Sequence, residues 1–488
     1  MNIKPSFVTF CDEGHNYLYD RFSNQLLEID NSFLKDLNKS IGDNGLSELQ
    51  TKHGILKSFD LPKLSLSSTK SDDEKIKEKV SHHIHRLCFI TTEECNLRCK
   101  YCVYTGSYKG TRLHNSRHVI TWPIAKKAVD YFATVSDCVP TRTISFYGGE
   151  SLLEFELIKK VVEYSKTLRI PFQYSISTNL VLLNQEIQDF LIKNDFKITV
   201  SLDGPKEIHD LFRVSRSQQP THSIIENNLW AIRKANEGFF IKNVSINTVI
   251  VPHKEPLDSV DKYFSNELFA GMPIYSFHVY TLNPNENSFV AKYGYYDFLK
   301  QYNRYSEDLF INKHIRKEYD LENYRISYNH NIRSVKRIYF RNLINLDSFP
   351  NYWPNGMCIL GMRSMMVTSS GQLFPCETLY DKHELSIGNI EQGIDSGYIS
   401  KVTNEYILRS SDLCKSCWAY RLCYQCFSAS YVNNEYSPEV RKYECSATKR
   451  DILNELKLFL KIISKEPSAF DYLQEAGPDE IFFDMTDD

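Results

Sequence analysis

The sequence predicts an α/β chain: a parallel, helix-covered sheet of barrel-like βα type, preceded by a small α+β unit and followed by a cysteine-rich unit. Three observations predict it. From about residue 86 to 255, near-continuous apolar strands alternate with amphipathic helices, the pattern of βα crossovers rather than hairpins. The first 60 residues carry shorter, alternating strands separated by Gly, Asn and Ser turns. The 13 cysteines are clustered, three within residues 95–102 and seven from 358 onward. A length of 488 residues exceeds one ordinary domain. A net charge of −3 gives no overall pull toward nucleic acid or anionic membrane, so neither is expected as a partner. No apolar run approaches the roughly 18 residues of a spanning helix. The opening MNIKPSFVTFCDEG lacks the basic-then-apolar pattern of a signal peptide, so a cytoplasmic chain is expected.

In chain order, SFVTFCDEG, HNYLYDRFS and NQLLEID read as three short strands. NSFLKDLNKS, opened by an Asn-Ser cap signal, and LSELQTKHGIL read as helices. LSSTKSDDEKIKEKVSHHIHR reads as a charged, solvated, partly helical linker over 61–85. Its His82, His83 and His85 suggest either a metal or, more simply, an exposed face. Strand HRLCFITT then leads into the first cysteines, followed by helix WPIAKKAVDYFATV and strand RTISFYGG. Helix SLLEFELIKKVVEYSKTL places Leu153, Leu157 and Val161 on one face. Strand FQYSISTN, helix NQEIQDFLIKN, strand FKITVSLDG, helix IIENNLWAIRKANE and strand NVSINTVIVP complete the alternation. The strands end in TEECN, GGES, TNL and SLDG, and in a βα barrel such ends share one rim where sites are built. Residues 286–354 show no chemistry and read as a connecting insertion. The final stretch, 451–488, is an amphipathic helix and an acidic tail.

The export signal being absent, the cysteines read as thiols or metal ligands rather than disulfides. Cys11, Cys88 and Cys138 stand alone and read as core residues. Cys95, Cys99 and Cys102 have the spacing C-x3-C-x2-C, with no Cys or His close by to complete a zinc site. Three cysteinates on a four-iron, four-sulfur cube leave one iron open, a catalytic arrangement. The aromatic Tyr101 before the third cysteine and the four strand ends in this order resemble the radical S-adenosylmethionine (SAM) superfamily. The resemblance implies a partial (β/α)6 radical SAM barrel over 86–285. It also implies SAM chelated to the open iron and a 5′-deoxyadenosyl radical that abstracts hydrogen. Gly148, Gly149 and Glu150 match the segment that holds the SAM amino group, although Ser151 stands where the family usually has Pro. Ser177, Thr178 and Asn179, and Ser201 through Asp203, match strand ends lining the SAM site. Ser201 is implied as a ribose contact and Arg213 as a partner of the SAM carboxylate.

The C-terminal cysteines are Cys358, Cys376, Cys414, Cys417, Cys423, Cys426 and Cys445. The two x2 pairs alone also allow a zinc ribbon, the lesser of the two readings. The whole pattern over 355–450 resembles the SPASM extension of radical SAM maturases, with x2 where the family has x3 in the last close pair. The resemblance implies two auxiliary [4Fe-4S] clusters and so three clusters in all. Cys358, Cys376 and Cys426 would hold the first, and Cys414, Cys417, Cys423 and Cys445 the second. Eight ligands are needed and seven exist, so one iron of the first is expected to lack a cysteine; a substrate thiolate or a protein oxygen or nitrogen can fill it. Glu377 matches the position of a base proposed in sulfatase maturases, and a hydrogen-bonding role beside the cluster is the alternative.

The unit over 1–60 resembles the leader-recognition element of enzymes that modify ribosomally synthesised peptides, where a leader adds as a strand; a plain structural appendage is the alternative. The expectation is a RiPP maturase that abstracts hydrogen from a precursor peptide and closes a thioether, carbon–carbon or carbon–oxygen crosslink, an auxiliary cluster taking the second electron. Its partners would be the leader-bearing peptide and a reductant such as flavodoxin or ferredoxin. The rivals are a sulfatase-type maturase forming formylglycine and a non-catalytic zinc-binding adaptor.

Overall fold

The computed structural model describes residues 7–21, 24–40, 70–105, 112–279, 288–319, 324–341, 358–380, 385–415, 417–432 and 435–474. Strands β1 (Phe7–Asp12), β2 (His15–Asp20) and β3 (Gln25–Ile29) form an antiparallel sheet in the order β1-β2-β3. Alternation gives the sheet two buried faces. Phe7 and Leu18 pack with Leu37 of helix α1 (Asn31–Ser40), while Tyr19 points the other way, edge-on to Trp418. The cap of α1 is Asp30, whose Oδ1 accepts from Phe33 N at 2.7 Å, and not the expected Asn-Ser pair. The second expected helix, LSELQTKHGIL, and the acidic tail lie outside the described residues.

Helix α2 (Lys70–His82) is more than a solvated linker: Ile76, Val80 and the following Ile84 are buried in the main core. Six parallel strands follow in sequence order: β4 (Arg86–Thr92), β5 (Arg142–Gly148), β6 (Phe172–Thr178), β7 (Lys197–Ser201), β8 (Val244–Ile250) and β9 (Ile274–His278). The helices between them include α3 (Trp122–Val135), α4 (Phe155–Thr167), α5 (Gln185–Lys193) and α6 (His222–Ala235). Leu153 is exposed, apart from the buried Leu157 and Val161, because Ser151–Glu154 forms a 3-10 turn ahead of α4. The middle strands alternate instead of being apolar throughout. Ile176, Ile198, Val200 and Ile246 are buried toward the helices, whereas Ser175, Ser177, Thr199, Ser201, Ser245 and Asn247 are half-buried on the opposite, inner face. A closed barrel fills its interior with side chains, but an open six-stranded one leaves the inner face to a ligand or water.

The described residues between 288 and 341 supply scaffold. Helices α7 (Tyr295–Ile315) and α8 (Arg325–Tyr339) bury Phe310, Ile332, Val335 and Ile338 against Tyr19 and the last long helix. The cysteine-rich part then joins the barrel sheet directly. Strand β10 (Ser364–Val367) pairs parallel to β4, from Ser364 opposite Arg86 to Val367 opposite Phe89. Strands β11 (Gln372–Phe374), β12 (Gly388–Asn389) and β13 (Gly393–Ile394) continue it antiparallel, making ten strands in one sheet. Helices α9 (Ser396–Lys415) and α10 (Pro438–Ile463) close the fold, the latter starting earlier than the sequence pattern suggested and carrying Cys445. None of the described helices is long and apolar enough to cross a membrane. Of the three lone cysteines only Cys88, on β4, is buried; Cys11 and Cys138 are exposed.

Candidate functional site

The ends of β4 to β8 meet in one hydrogen-bonded rim. Gly149 N donates to Thr92 O at 2.8 Å and Glu150 N to Glu94 O at 3.0 Å, docking the end of β5 onto the cysteine loop. A Cβ on Gly148 or Gly149 would collide with the Thr92 or Glu94 carbonyl. The close approach these glycines permit is therefore to the cysteine loop's own backbone. Glu150 is buried and its carboxylate is engaged within the protein. Oε1 accepts from Thr178 Oγ1 (2.6 Å) and Leu152 N (3.0 Å), and Oε2 from Asn179 N (2.7 Å). Burial raises its pKa even against these donors. Asn179 in turn donates to Asn96 Oδ1 (2.7 Å) and reaches Cys95 Sγ (3.7 Å).

On the opposite side of the loop, buried Asp203 gathers three donors. Arg213 Nε binds Oδ2 at 2.8 Å, Tyr101 OH binds the same oxygen, and Val249 N donates to Oδ1 at 2.9 Å. Arg213 also points an N–H at Cys99 Sγ, 3.8 Å away. Ser177 and Ser201 lie on the inner face, Ser201 in register with Asn247 of β8. Asn247 Oδ1 is buried without a partner, an acceptor site the sequence reading missed because one Asn within NVSINTVIVP gives no signal.

Burial pushes the Cys95, Cys99 and Cys102 thiols up, Cys99 to about 12, so none is a free thiolate; a metal is what deprotonates such a group. Yet N–H donors already aim at two of the sulfurs, as a cysteinate requires. Glu377 follows Cys376 and faces the inner side of β4 and β5, where its charge reaches Tyr147 and Cys88, with Arg86 at 3.9 Å. A neighbouring carboxylate was not singled out from sequence. Buried Glu93 accepts from Tyr380 OH and contacts His118 Nδ1 at 2.6 Å. Arg112 stacks over Tyr380 at 4.6 Å and donates to Glu377 O, linking the segment after the cysteine loop to the segment after Cys376.

The seven C-terminal cysteines fall into two sets. Cys426 lies within electrostatic reach of both Cys358 and Cys376, and its sulfur accepts from Ser428 N (3.4 Å) and Oγ (3.2 Å). Cys414, Cys417, Cys423 and Cys445 line one cavity together with Arg441. Among the described residues, the one three-donor group with ligand atoms within 4.8 Å of one another is His82, Asp137 and Cys138, an exposed cluster built on a 2.8 Å His82–Asp137 contact. Ligands of a single tetrahedral zinc sit about 3.8 Å apart. Among the described residues no three cysteine sulfurs lie within 4.8 Å of one another.

Residues 89–262 match the model of the radical SAM superfamily. The cysteine-type anaerobic sulfatase-maturating enzyme of Clostridium novyi (strain NT) is 26% identical over 358 residues, 68% of this chain and 84% of that protein. The radical SAM cyclopropyl synthase TigE of Paramaledivibacter caminithermalis is 22% identical over 227 residues, 41% of this chain and 48% of its own. Among solved structures, native anSMEcpe with bound AdoMet aligns with a TM-score of 0.55 at 20% identity, covering 80% of this chain and 99% of that one. Residues 89–262 form a radical SAM domain, as found in enzymes, the wider fold is that of native anSMEcpe, and such a domain implies SAM and a [4Fe-4S] cluster as cofactors.

Proposed function

We propose that this radical SAM maturase acts on a ribosomally synthesised precursor peptide and closes an intramolecular crosslink in it. The observation that carries the reading is the N-terminal sheet. Its edge strands β1 and β3 have no further strand partner among the described residues, which suits addition of a leader segment. The sheet is also docked on the cysteine-rich part, through Tyr19 against Trp418 and Arg21 NH1 to Cys417 O at 2.9 Å.

In this reading Cys95, Cys99 and Cys102 hold the SAM cluster, Cys358, Cys376 and Cys426 a first auxiliary cluster, and Cys414, Cys417, Cys423 and Cys445 a second. Bound SAM and clusters supply an adenosyl radical for hydrogen abstraction and a sink for the second electron, with a reductant such as flavodoxin or ferredoxin. The chain's residues do the positioning. Glu150 and Asn179 fix the cysteine loop from one side, and Asp203 with Tyr101 fixes it from the other. Arg213 offers its remaining N–H groups to the SAM carboxylate, and Ser201 with Asn247 offers polar atoms to the ribose. Glu377, on the inner side of the sheet, takes the substrate proton in this reading.

The test is the intact mass of the short peptide encoded nearest this gene after anaerobic co-expression. Loss of two hydrogens, absent with Cys95, Cys99 and Cys102 replaced by Ala, is the expected result. An unchanged peptide beside full iron loading and active SAM cleavage overturns it. A second reading, maturation of a sulfatase Cys or Ser to formylglycine, is favoured by relatives such as the Clostridium novyi enzyme. A sulfatase peptide offered to the same preparation decides between them.

A further inference from the structure

The cavity lined by Cys414, Cys417, Cys423 and Cys445 contains a buried cation whose charge reaches Glu444 but which has no carboxylate at ion-pair distance among the described residues. Arg441, on α10, is 1% exposed and is the largest fully buried side chain of the molecule's described part. Its NH1 donates to Gln425 Oε1 at 2.5 Å, its NH2 reaches Cys414 Sγ at 3.8 Å, and its guanidinium lies 5.1 Å from the centre of the Tyr406 ring. No described Asp or Glu forms an ion pair with it. Gln425 is itself buried, and its Oε1 is also 3.4 Å from Cys445 Sγ. Two buried donors, Arg441 Nε and Gln425 Nε2, have no acceptor among the described residues. A buried guanidinium facing four neutral thiols is strongly unfavourable, whereas one facing cysteinates around a cluster is paired.

The first set is built differently. The donors to Cys426 are the neutral amide and hydroxyl of Ser428, and the charges acting on this set are the carboxylate of Glu377, on Cys376, and the guanidinium of Arg363, on Cys358. A four-cysteinate cluster becomes one charge more negative when it takes up an electron. A fixed cation and N–H···S bonds favour that reduced form; an adjacent carboxylate disfavours it.

We propose that Arg441, positioned by Gln425, raises the reduction potential of the second auxiliary cluster above that of the first, so that an electron arriving in the cysteine-rich part comes to rest beside α10. The proposal rests on the reading that these four cysteines hold a cluster. The electron is one of the two that leave the substrate on crosslinking. The other leaves with the hydrogen atom taken up as 5′-deoxyadenosine, and the remaining proton passes to a base.

The experiment is an EPR-monitored redox titration of anaerobically reconstituted enzyme in which Cys95, Cys99 and Cys102 are Ala, leaving about eight irons per chain in two cubes. In that background Arg441→Met is expected to shift the higher midpoint negative and leave the lower one in place. Arg441→Lys should restore most of the shift, and Gln425→Leu should give a smaller shift of the same sign. An unmoved midpoint at full iron content overturns the proposal, as does an Arg441→Lys midpoint equal to that of Arg441→Met. If Arg441→Met sheds iron, Arg441→Lys and Gln425→Leu decide: unmoved midpoints in Gln425→Leu with Arg441→Lys matching the parent, or equal shifts in both, count against it. A background enzyme holding only about four irons would instead sink the three-cluster reading itself.

Discussion

The barrel rim and the C-terminal cysteine cavity both gather cysteines, and they do so by opposite means. At the rim most supporting groups come off the end of a regular strand: Glu150 after β5, Asn179 after β6, Asp203 after β7 and Val249 on β8, with Arg213 added from the end of the short helix Lys206–Phe212. In the cavity, Cys414 lies near the end of α9, Cys417 and Cys423 sit in irregular chain, and Arg441 and Cys445 ride on α10. The rim is rigid because a sheet holds it. The cavity is held by helix packing, and its buried Arg441 has no ion-pair partner among the described residues. That difference teaches where a substitution will be catalytic and where it will be electronic.

The sharpest way to break the comparison is to remove one cysteine from each. Cys99→Ala is expected to abolish SAM cleavage while auxiliary iron stays bound. Cys414→Ala is expected to lower iron by about four per chain and to leave SAM cleavage measurable. Anaerobic iron analysis beside a 5′-deoxyadenosine assay checks both, and loss of cleavage in Cys414→Ala would show that the two sites are not separable.

Next in size is Gly149→Ala, set against Gly14→Ala. A Cβ at Gly149 meets the Glu94 backbone, which cannot give way like a flexible side chain. A loss of about 2–3 kcal/mol and at least tenfold weaker SAM binding are expected, read by denaturation and calorimetry. Gly14, in the β1–β2 turn, has φ +85° and open space around it, so only the left-handed backbone strain of about 1 kcal/mol is expected there, with SAM affinity unchanged.

These contrasts also explain what the sequence made legible. Helix α3 spans WPIAKKAVDYFATV to the residue, and the strands before each rim motif fall where apolar runs end in polar turns, because such signals are local. Strand β10 was not legible: SMMV finds its partner β4 some 280 residues away in sequence, and a four-residue apolar run carries no address. The internal engagement of Glu150 was equally hidden, since GGE looks the same whether its carboxylate meets a ligand or Thr178 and Asn179. Arg441 and Glu93 escaped for the same reason, their meaning residing entirely in what packs against them. Glu150→Gln sharpens this point. The amide keeps one acceptor but sets an N–H against either Asn179 N or the Thr178 and Leu152 donors, at about 2 kcal/mol. Stability and SAM affinity should fall together; affinity falling alone would mean that Glu150 acts on the ligand and not on the loop.

The smallest expected effect tests whether the two regions are one cooperative body. Tyr131, on α3, accepts a hydrogen bond from Ile394 N at 2.8 Å, and Gly393 of β13 lies so close to its ring that a Cβ there would press on it. Barrel helix and cysteine-rich sheet thus share a joint beside the β4–β10 pairing. Tyr131→Phe keeps the ring and removes the acceptor, leaving a half-buried amide to find water, so a loss of about 1 kcal/mol is expected. If the ten-stranded sheet unfolds as a unit, tryptophan fluorescence and cluster absorbance will report the same transition, displaced by the same amount. A shift seen by cluster absorbance alone would mean that the cysteine-rich part opens on its own. The electronic site would then be the low-stability end of the molecule and the rim its fixed one.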